Sequence, residues 1–264
     1  MSDLGGGIGL PQMSEREMFE NLLGEDSERD GEEPAIAARI GEQMLHMNLQ
    51  PLPRSTRVRI RDIISRIPAR NVVLVGGGIG HLSAWLLDLW CGDPAEPREN
   101  PPPRPDSFTI VEEGGKFGVI IDRLIRRYDA SSWTRVITQP WLELSAETQS
   151  WLAASTTLPD SANPSLLPLP MELAIVDLDE ERRPEAAKSA FDLLAPGGIL
   201  IALEPEVPTG DVGEIEAGKD ATEAQRLVAS FNRWMEFVRS VDEEDSAAFV
   251  EMRGGTIGVF RRST

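Results

Sequence analysis

Short apolar runs alternate along the chain with segments whose apolar residues recur every three or four positions. The apolar runs predict strands at 71–75, 107–111, 135–138, 173–177 and 199–204, and two shorter ones at 247–252 and 256–261. The run "NVVLV" at 71–75 shows no polar alternation, which is typical of a strand buried on both faces of a parallel sheet. The whole order predicts an α/β, Rossmann-like doubly wound fold, with a mostly parallel sheet and an antiparallel C-terminal strand pair.

Apolar residues at helical spacing predict helices between these strands, over 34–49, 54–66, 79–90, 116–128, 146–153, 184–194 and 221–240. Residues 1–33 carry ten acidic and two basic residues, so we expect an acidic flexible tail there. Within it, "SEREMFENLL" has helical spacing and could instead dock as a short helix on the body or on a partner. Residues 34–264 then form one α/β domain, with a proline-rich insertion at 92–106.

Composition limits the classes of partner and the compartment. A formal net charge of −18 disfavours nonspecific binding to nucleic acid or to an anionic membrane surface. One cysteine and two histidines exclude an internal disulfide and a cysteine-based metal cluster. The N-terminus lacks the basic and apolar regions of a signal peptide, so we expect a cytoplasmic protein. Four arginines, Arg54, Arg57, Arg59 and Arg61, are expected to lie on a helix surface, where they balance the acidic protein or steer an anionic substrate.

A tight glycine turn joins the first strand to the next helix. Gly76, Gly78 and Gly80 form a G-x-G-x-G pattern, in which glycine allows positive φ and close approach of a ligand to the backbone. The same glycines could instead serve only close packing. Glu112 follows the second strand, about 32 residues after the turn, where a carboxylate can bind both hydroxyls of a ribose. Position 81 is His where a dinucleotide turn would have glycine, so the pattern favours a nucleoside ligand without a pyrophosphate.

Four stretches, in this order, carry a resemblance to a known family: "VVLVGGGIGHLSAWLL", "FTIVEEGGKFGVIIDRLIRRY", "ELAIVDLDEERRPEAAKSAFDLLAPGGILIALE" and "QRLVASFNRWMEFV". Together they resemble the class I S-adenosylmethionine-dependent methyltransferases over about residues 36–262, and most of all the small-molecule O-methyltransferases of the catechol and caffeoyl-CoA type. The resemblance implies S-adenosylmethionine as cofactor, a small-molecule acceptor and a possible homodimer. It places the following residues at the cofactor: Gly76, Gly78 and Gly80 at its methionine part, Glu112 or else Glu113 at the ribose, and Trp141 at the adenine. Trp141 could equally be a core residue.

The resemblance also implies a role for Asp177, at the end of the fourth strand, as a ligand of a divalent metal such as Mg²⁺. The sequence departs from the family pattern at Leu74, at "QPW" (139–141) and at "LEPE" (203–206), where Glu204 or Glu206 would have to replace the second metal-binding group. These departures leave the use of a metal open.

Methyl transfer to oxygen requires a base, and His81 and Asp177 are the candidates for that catalytic role. Each also has a structural interpretation: His81 as a packed residue at the start of a helix, and Asp177 as a cap of the following segment. Two other functions fit the same features. One is an aminopropyltransferase of the spermidine-synthase kind, and the other is a catalytically degenerate methyltransferase fold that serves as a binding module.

Overall fold

The structure, a computed structural model, describes residues 14–24, 31–96, 101–154, 165–209 and 220–264. The helices are α1 Glu15–Leu23, α2 Ala35–His46, α3 Arg54–Ser65, α4 His81–Cys91, α5 Gly115–Arg127, α6 Trp141–Ala154, α7 Arg183–Asp192 and α8 Glu223–Glu244. The strands are β1 Asn71–Val75, β2 Ser107–Val111, β3 Thr134–Ile137, β4 Met171–Val176, β5 Leu194–Leu203, β6 Ser246–Met252 and β7 Gly255–Arg261. Within these residues, no helix is both long and apolar enough to cross a lipid bilayer.

The seven strands form one sheet in the order β3-β2-β1-β4-β5-β7-β6. Strands β1 to β5 are parallel to their neighbours, whereas β7 pairs antiparallel with β5 and β6 pairs antiparallel with β7. The predicted fold class is therefore confirmed, including the antiparallel C-terminal pair. The chain runs outward from β1 through β2 to β3 and then returns to place β4 on the other side of β1. This reversal creates a crevice at the carboxyl ends of β1 and β4, which is where open α/β sheets bind ligands.

The sheet separates two apolar cores. In β1, Val72 and Leu74 face the core that also contains α3, α4 and α5, while Val73 and Val75 face the core that contains α6, α7 and α8. Both faces of β1 are thus buried, which is the physical reason that its sequence shows no polar alternation. Leu74, where the family has an acidic residue, is a fully buried core residue.

Several elements have bounds that differ from the prediction, and the difference is largest at the starts of α6 and β5. Helix α6 begins at Trp141 rather than at residue 146, since Pro140 provides the carbonyl that accepts the first helical bond, from the Leu144 N–H at 3.1 Å. The segment "APGG" (195–198) belongs to β5 rather than to a turn before it. It is an irregular part of that strand, because the pairing with β4 shifts register there and Gly197 has φ +77°.

The N-terminal segment also differs from the flexible tail that we expected, at least over α1. Ser14 and Glu17 form a capping box that begins the helix, and Met18 and Leu22 are buried against the α3–α4 core. At its end, the Arg66 guanidinium donates to the Gly24 carbonyl at 2.7 Å. The alternative of a helix docked on the body is therefore confirmed for α1. Residues 1–13 and 25–30 of the expected tail lie outside the described residues, as do residues 97–100 of the proline-rich insertion.

Candidate functional site

A cleft lies at the carboxyl ends of β1, β2 and β4, at the predicted reversal of the strand order. It consists of two adjoining chambers, of about 600 Å³ and about 1200 Å³. Both chambers are lined by Gly76, Glu112, Glu113, Leu178 and Arg182, so they form one continuous groove. The smaller chamber lies toward the start of α6, and the larger one toward α2 and the start of α4.

The glycines of the turn differ in how closely they pack against their neighbours. Gly76 has φ +91°, and a Cβ placed there would lie 2.1 Å from the Asp177 carbonyl oxygen. Gly78 has φ +51°, and a Cβ placed there would meet no atom within 4 Å, although Gly78 lines the larger chamber. At Gly80, φ is +90° and a Cβ would lie 3.0 Å from Leu124. Close packing therefore requires glycine at Gly76, which also lines both chambers, whereas at Gly78 packing leaves room for a side chain beside the larger chamber.

Glu112 is held at the junction of the two chambers by backbone groups. Only 8% of the residue is exposed; its Oε2 accepts the Gly78 N–H at 2.7 Å and its Oε1 accepts the Gly114 N–H at 2.9 Å. A carboxylate has about four acceptor positions, so roughly two remain for a ligand. Glu113 also lines the cleft, but its carboxylate forms an ion pair with Arg182. Of the two glutamates proposed for ribose binding, Glu112 is the one whose orientation is fixed by the turn.

Trp141 is a core residue that also lines the cleft. It is buried in the α6–α7 core, where its Nε1–H donates to Ser189 Oγ at 2.7 Å, and it also lines the smaller chamber. Gln139 and Pro140 line the same wall. A flat aromatic wall of fixed orientation therefore borders the smaller chamber, and contact of Trp141 with an adenine stays a prediction.

His81 is buried at the wall of the larger chamber and is not a strong base. Its Nε2 lies 2.7 Å from Arg57 Nη1 and 3.6 Å from Glu33 Oε1. Since a guanidinium carries donors only, Nε2 accepts this hydrogen bond. Burial and the neighbouring Arg57 charge lower the pKa of His81 to about 4, against the opposing effect of Glu33. The imidazole is therefore neutral at pH 7, and its Nε2 lone pair is already occupied.

Asp177 has the electrostatics of a base that works near neutral pH. It follows β4, its N–H donates to the Val75 carbonyl at 2.8 Å, and it lines the larger chamber. Burial raises the pKa of Asp177 to about 6, while the Arg183 guanidinium acts in the opposite direction. Among the described residues, no hydrogen bond or ion pair occupies its carboxylate. Of the two predicted catalytic residues, Asp177 is the one whose carboxylate is not bonded by a neighbouring side chain in the described part of the chain, and its catalytic role stays a prediction.

The residues around Asp177 do not fit a divalent metal. No group of three His, Cys, Asp or Glu side chains in the described part of the chain has the spacing of a metal site. Glu204 and Glu206, the candidates for the second ligand, do not gather with Asp177 into such a group. The charge that Asp177 meets is instead that of Arg183, which would repel a divalent cation. We therefore place no metal at Asp177.

Arg182 and Arg183 were not predicted as residues of the cleft, because the sequence "DLDEER" (177–182) is typical of a solvated acidic loop. Arg182 pairs with Glu113 and, at 2.6 Å, with Asp179, and so links the segments that follow β2 and β4 across the cleft. Arg183 is 8% exposed and lines the larger chamber. The only local signal was their position after a buried strand, at the ligand-binding edge of the sheet.

The arginines of α3 were expected on the helix surface, and for three of the four this was wrong: Arg57, Arg59 and Arg61 are buried. Arg61 pairs with Asp88 at 2.6 Å, and Arg57 lies over the Trp85 ring with its Cζ 5.2 Å from the ring centroid. The acidic Asp88 within the apolar α4 was a signal for a buried cationic partner.

Comparison with solved structures identifies proteins with a similar fold. An O-methyltransferase from Bacillus cereus in complex with SAH aligns with a TM-score of 0.58 at 15% identity, over 93% of this chain and 96% of that one. The O-methyltransferase TomG from Streptomyces achromogenes, in complex with SAM, aligns with a TM-score of 0.57 at 14% identity, over 96% and 100%. The chain has the fold of the O-methyltransferases.

A third similar structure, a candidate caffeoyl-CoA O-methyltransferase from Staphylococcus aureus, aligns with a TM-score of 0.58 at 11% identity, over 93% of this chain and 96% of that one. No protein-family model and no curated protein sequence matches the chain. The O-methyltransferase fold is thus established by structure at sequence identities too low to transfer an activity, and the activity has to be argued from the cleft.

Proposed function

We propose that the protein is an S-adenosylmethionine-dependent methyltransferase that methylates an oxygen atom of a small molecule. The observation that carries this proposal is the geometry of Glu112. Its carboxylate is buried at the junction of the two chambers and is oriented by the Gly78 and Gly114 N–H groups. Its oxygens keep acceptor positions that these two N–H groups do not use. A carboxylate so fixed after the second strand of this fold suits the two hydroxyls of a ribose.

The two chambers suit the two ends of such a cofactor. Trp141 provides an aromatic wall for the adenine in the smaller chamber, and Glu112 stands at the junction for the ribose. The methionine part would then lie along Gly76 and the open side of Gly78, in the larger chamber. That chamber also has room for the acceptor, whose walls would include Leu52 and Phe117.

When bound, S-adenosylmethionine supplies an electrophilic methyl group on a sulfonium sulfur. The chain itself has to hold the acceptor in line with that group and remove the proton of its hydroxyl. We assign proton removal to Asp177, since this residue lines the larger chamber and its pKa of about 6 is close to the working pH of a general base. His81 has its Nε2 bonded to Arg57, so we assign it to the wall of the chamber rather than to proton transfer.

Calorimetric titration with S-adenosylmethionine and S-adenosylhomocysteine tests the proposal. We expect micromolar binding to the unaltered chain. Glu112→Ala should weaken binding by about 1.5–3 kcal/mol, the value of a hydrogen bond to a charged group, or roughly tenfold to a hundredfold. Glu113→Ala is the matched control, because its carboxylate pairs with Arg182, and it should change affinity by less than about threefold.

Two results would contradict the assignment. Absence of binding at millimolar concentration would favour the alternative of a degenerate binding module. Equal losses in Glu112→Ala and Glu113→Ala would show that Glu112 has no special role. The aminopropyltransferase alternative is disfavoured by Arg57 and Arg183, two buried cations that would repel a polyamine in the larger chamber. A homodimer and a cytoplasmic location stay predictions.

A further inference from the structure

We propose that Arg183 supplies the fixed positive charge of the acceptor site, in the place where related enzymes would use a divalent metal. The acceptor is then a compound held through a single hydroxyl oxygen, of the phenol class, rather than one that chelates a metal through two adjacent oxygens. The inference rests on the proposed function and specifies its substrate class.

The first support is the position of Arg183 between the two strand ends that the resemblance assigns to metal binding. Its Nε and Nη2 donate to the Leu178 carbonyl, just after β4, at 3.1 Å and 2.9 Å. Its Nη1 lies 3.5 Å from the carbonyl oxygen of Leu203, at the end of β5, which makes a weak bond. The guanidinium therefore lies at the junction of the segments that would have to bring the metal ligands together.

The second support is that two N–H groups of this guanidinium are directed at no acceptor among the described residues. It carries five N–H groups, of which three are directed at the carbonyls of Leu178 and Leu203. One N–H on each Nη has no acceptor among the described residues, and the side chain lines the larger chamber. Asp177 lines the same chamber and its charge interacts with that of Arg183, yet the two form no direct ion pair. A substrate oxygen can therefore contact both.

The third support is that the charge is permanent and pre-positioned. Arg183 is 8% exposed and begins α7, so packing restricts its movement. Arginine stays protonated at any physiological pH, and a buried cation stabilises a developing oxyanion more strongly than a solvated one does. These are the properties for which an enzyme otherwise recruits a metal ion.

The number of oxygens follows from the geometry of the two kinds of cation. A divalent metal takes six or more oxygen ligands and so gains from binding two neighbouring oxygens of one substrate. Two N–H groups of one guanidinium converge on a single oxygen or on one small anionic group. Met44, Leu52 and Phe117 line the chamber with apolar surface that can cover an aromatic ring.

The reaction balances without a metal. The acceptor hydroxyl gives its proton to the Asp177 carboxylate, and its oxygen forms a bond to the methyl carbon. The bond between that carbon and the sulfonium sulfur breaks, its electron pair stays on sulfur, and S-adenosylhomocysteine leaves as a neutral thioether. Arg183 stabilises the oxyanion while it forms and is not itself changed.

The test uses two chromophoric probes, 4-nitrophenol and 4-nitrocatechol, with the full chain saturated in S-adenosylhomocysteine. The absorbance of each probe reports whether it binds as the anion. We expect 4-nitrophenol to bind as its phenolate, with an affinity unchanged within about threefold by 5 mM Mg²⁺ or by a chelator, a range that covers the salt effect. The second hydroxyl of 4-nitrocatechol should bring no Mg²⁺-dependent gain.

Three variants connect the result to Arg183. Arg183→Gln removes the charge and should weaken phenolate binding on the order of tenfold or more, whereas Arg183→Lys keeps the charge and should retain most of it. Arg233→Gln is the control, since Arg233 pairs with Glu185 at 2.8 Å on the outer side of α7 and α8 and does not line the cleft. The comparison with and without Mg²⁺ is made on the unaltered chain, so it stands even if a variant at Arg183 fails to fold.

Binding of 4-nitrocatechol that requires Mg²⁺, or absence of 4-nitrophenolate binding when S-adenosylhomocysteine does bind, overturns this inference and leaves the proposed function intact. Equal phenolate binding by Arg183→Gln and the unaltered chain also overturns it. If S-adenosylhomocysteine does not bind either, the proposed function fails and this inference fails with it.

Discussion

Alanine at Gly76 and at Gly78 should have opposite consequences, although the two glycines are separated by one residue in the same turn. Both have positive φ, at +91° and +51°. The added methyl group at Gly76 would lie 2.1 Å from the Asp177 carbonyl oxygen, whereas at Gly78 it would point into open space beside the larger chamber. The pair therefore separates a glycine required by packing from one that leaves room for a ligand.

The magnitudes follow from these contacts. An alanine with left-handed backbone costs about 1–2 kcal/mol, and it recovers about 0.4–1 kcal/mol because it makes the unfolded chain less flexible. Gly78→Ala should thus lose only about 1 kcal/mol of the free energy of unfolding. At Gly76 the Asp177 carbonyl must also move by about 1 Å to reach a normal contact distance, which strains the Asp177–Val75 bond of 2.8 Å. Gly76→Ala should therefore lose about 3–5 kcal/mol in total.

Urea unfolding measures the difference in stability between the two variants, and calorimetric titration with S-adenosylhomocysteine measures the difference in ligand affinity. We expect Gly76→Ala to unfold at much lower urea concentration, and Gly78→Ala to unfold near the unaltered chain but bind the ligand about tenfold or more weakly. Gly115→Ala serves as the control, because a Cβ there meets no atom within 4 Å and the residue begins α5 with ordinary φ. Equal destabilisation by both turn variants would refute the packing argument. Full ligand affinity in Gly78→Ala would refute the ligand-binding one.

Three further predictions concern the charged residues. Asp177→Asn should stabilise the protein at pH 7 by up to about 3 kcal/mol and have no effect below about pH 4. The reason is that the pKa of Asp177, raised to about 6, makes the unaltered chain lose stability as pH rises through that value. Thermal unfolding against pH checks this. His81→Asn should reduce the loss of stability that the unaltered chain shows at acid pH. The pKa of His81, lowered to about 4, makes the unaltered chain lose stability as pH falls below 6.5, the ordinary pKa of histidine, and thermal unfolding against pH checks this as well. Arg61→Met should cost about 3–5 kcal/mol in urea unfolding by removing the 2.6 Å ion pair between Arg61 and the buried Asp88 carboxylate, and Arg61→Met with Asp88→Leu should recover part of that loss.

The strands and the glutamate of the cleft could be predicted because their signals are local. β1 is apolar from Val72 to Val75 because its alternate residues enter two different cores, and Glu112 is identified by its place directly after β2. The O-methyltransferase fold fixes where the carboxyl ends of these strands lie relative to each other. A reader of the sequence therefore needs only the strand assignment to bring Glu112 to the glycine turn.

The buried arginines could not be predicted in this way, because burial of a charge depends on a partner elsewhere in the chain. Arg61 lies 27 positions before Asp88, and nothing near Arg61 indicates that pair. The docking of α1 has a similar cause. The helix is short and acidic, and the carbonyl of Gly24, directly after it, accepts hydrogen bonds from Arg59 of α3 and from Arg66, which follows α3. Helical spacing showed that α1 could form, whereas its position depends on these distant donors.

The departures from the pattern of the resembled family are spread over the site: Leu74 lies in β1, residues 139–141 line the smaller chamber, and residues 203–206 lie at and after the end of β5. The departure at 203–206 has a physical explanation. The acceptor differs from enzyme to enzyme, and the larger chamber proposed to hold it here is lined in part by the segment after β4. In the proposed acceptor site, Arg183 donates to the carbonyls of Leu178, after β4, and Leu203, at the end of β5, and its permanent charge would repel a metal beside it. Under this proposal, the departure at 203–206 and the buried arginine have one chemical explanation.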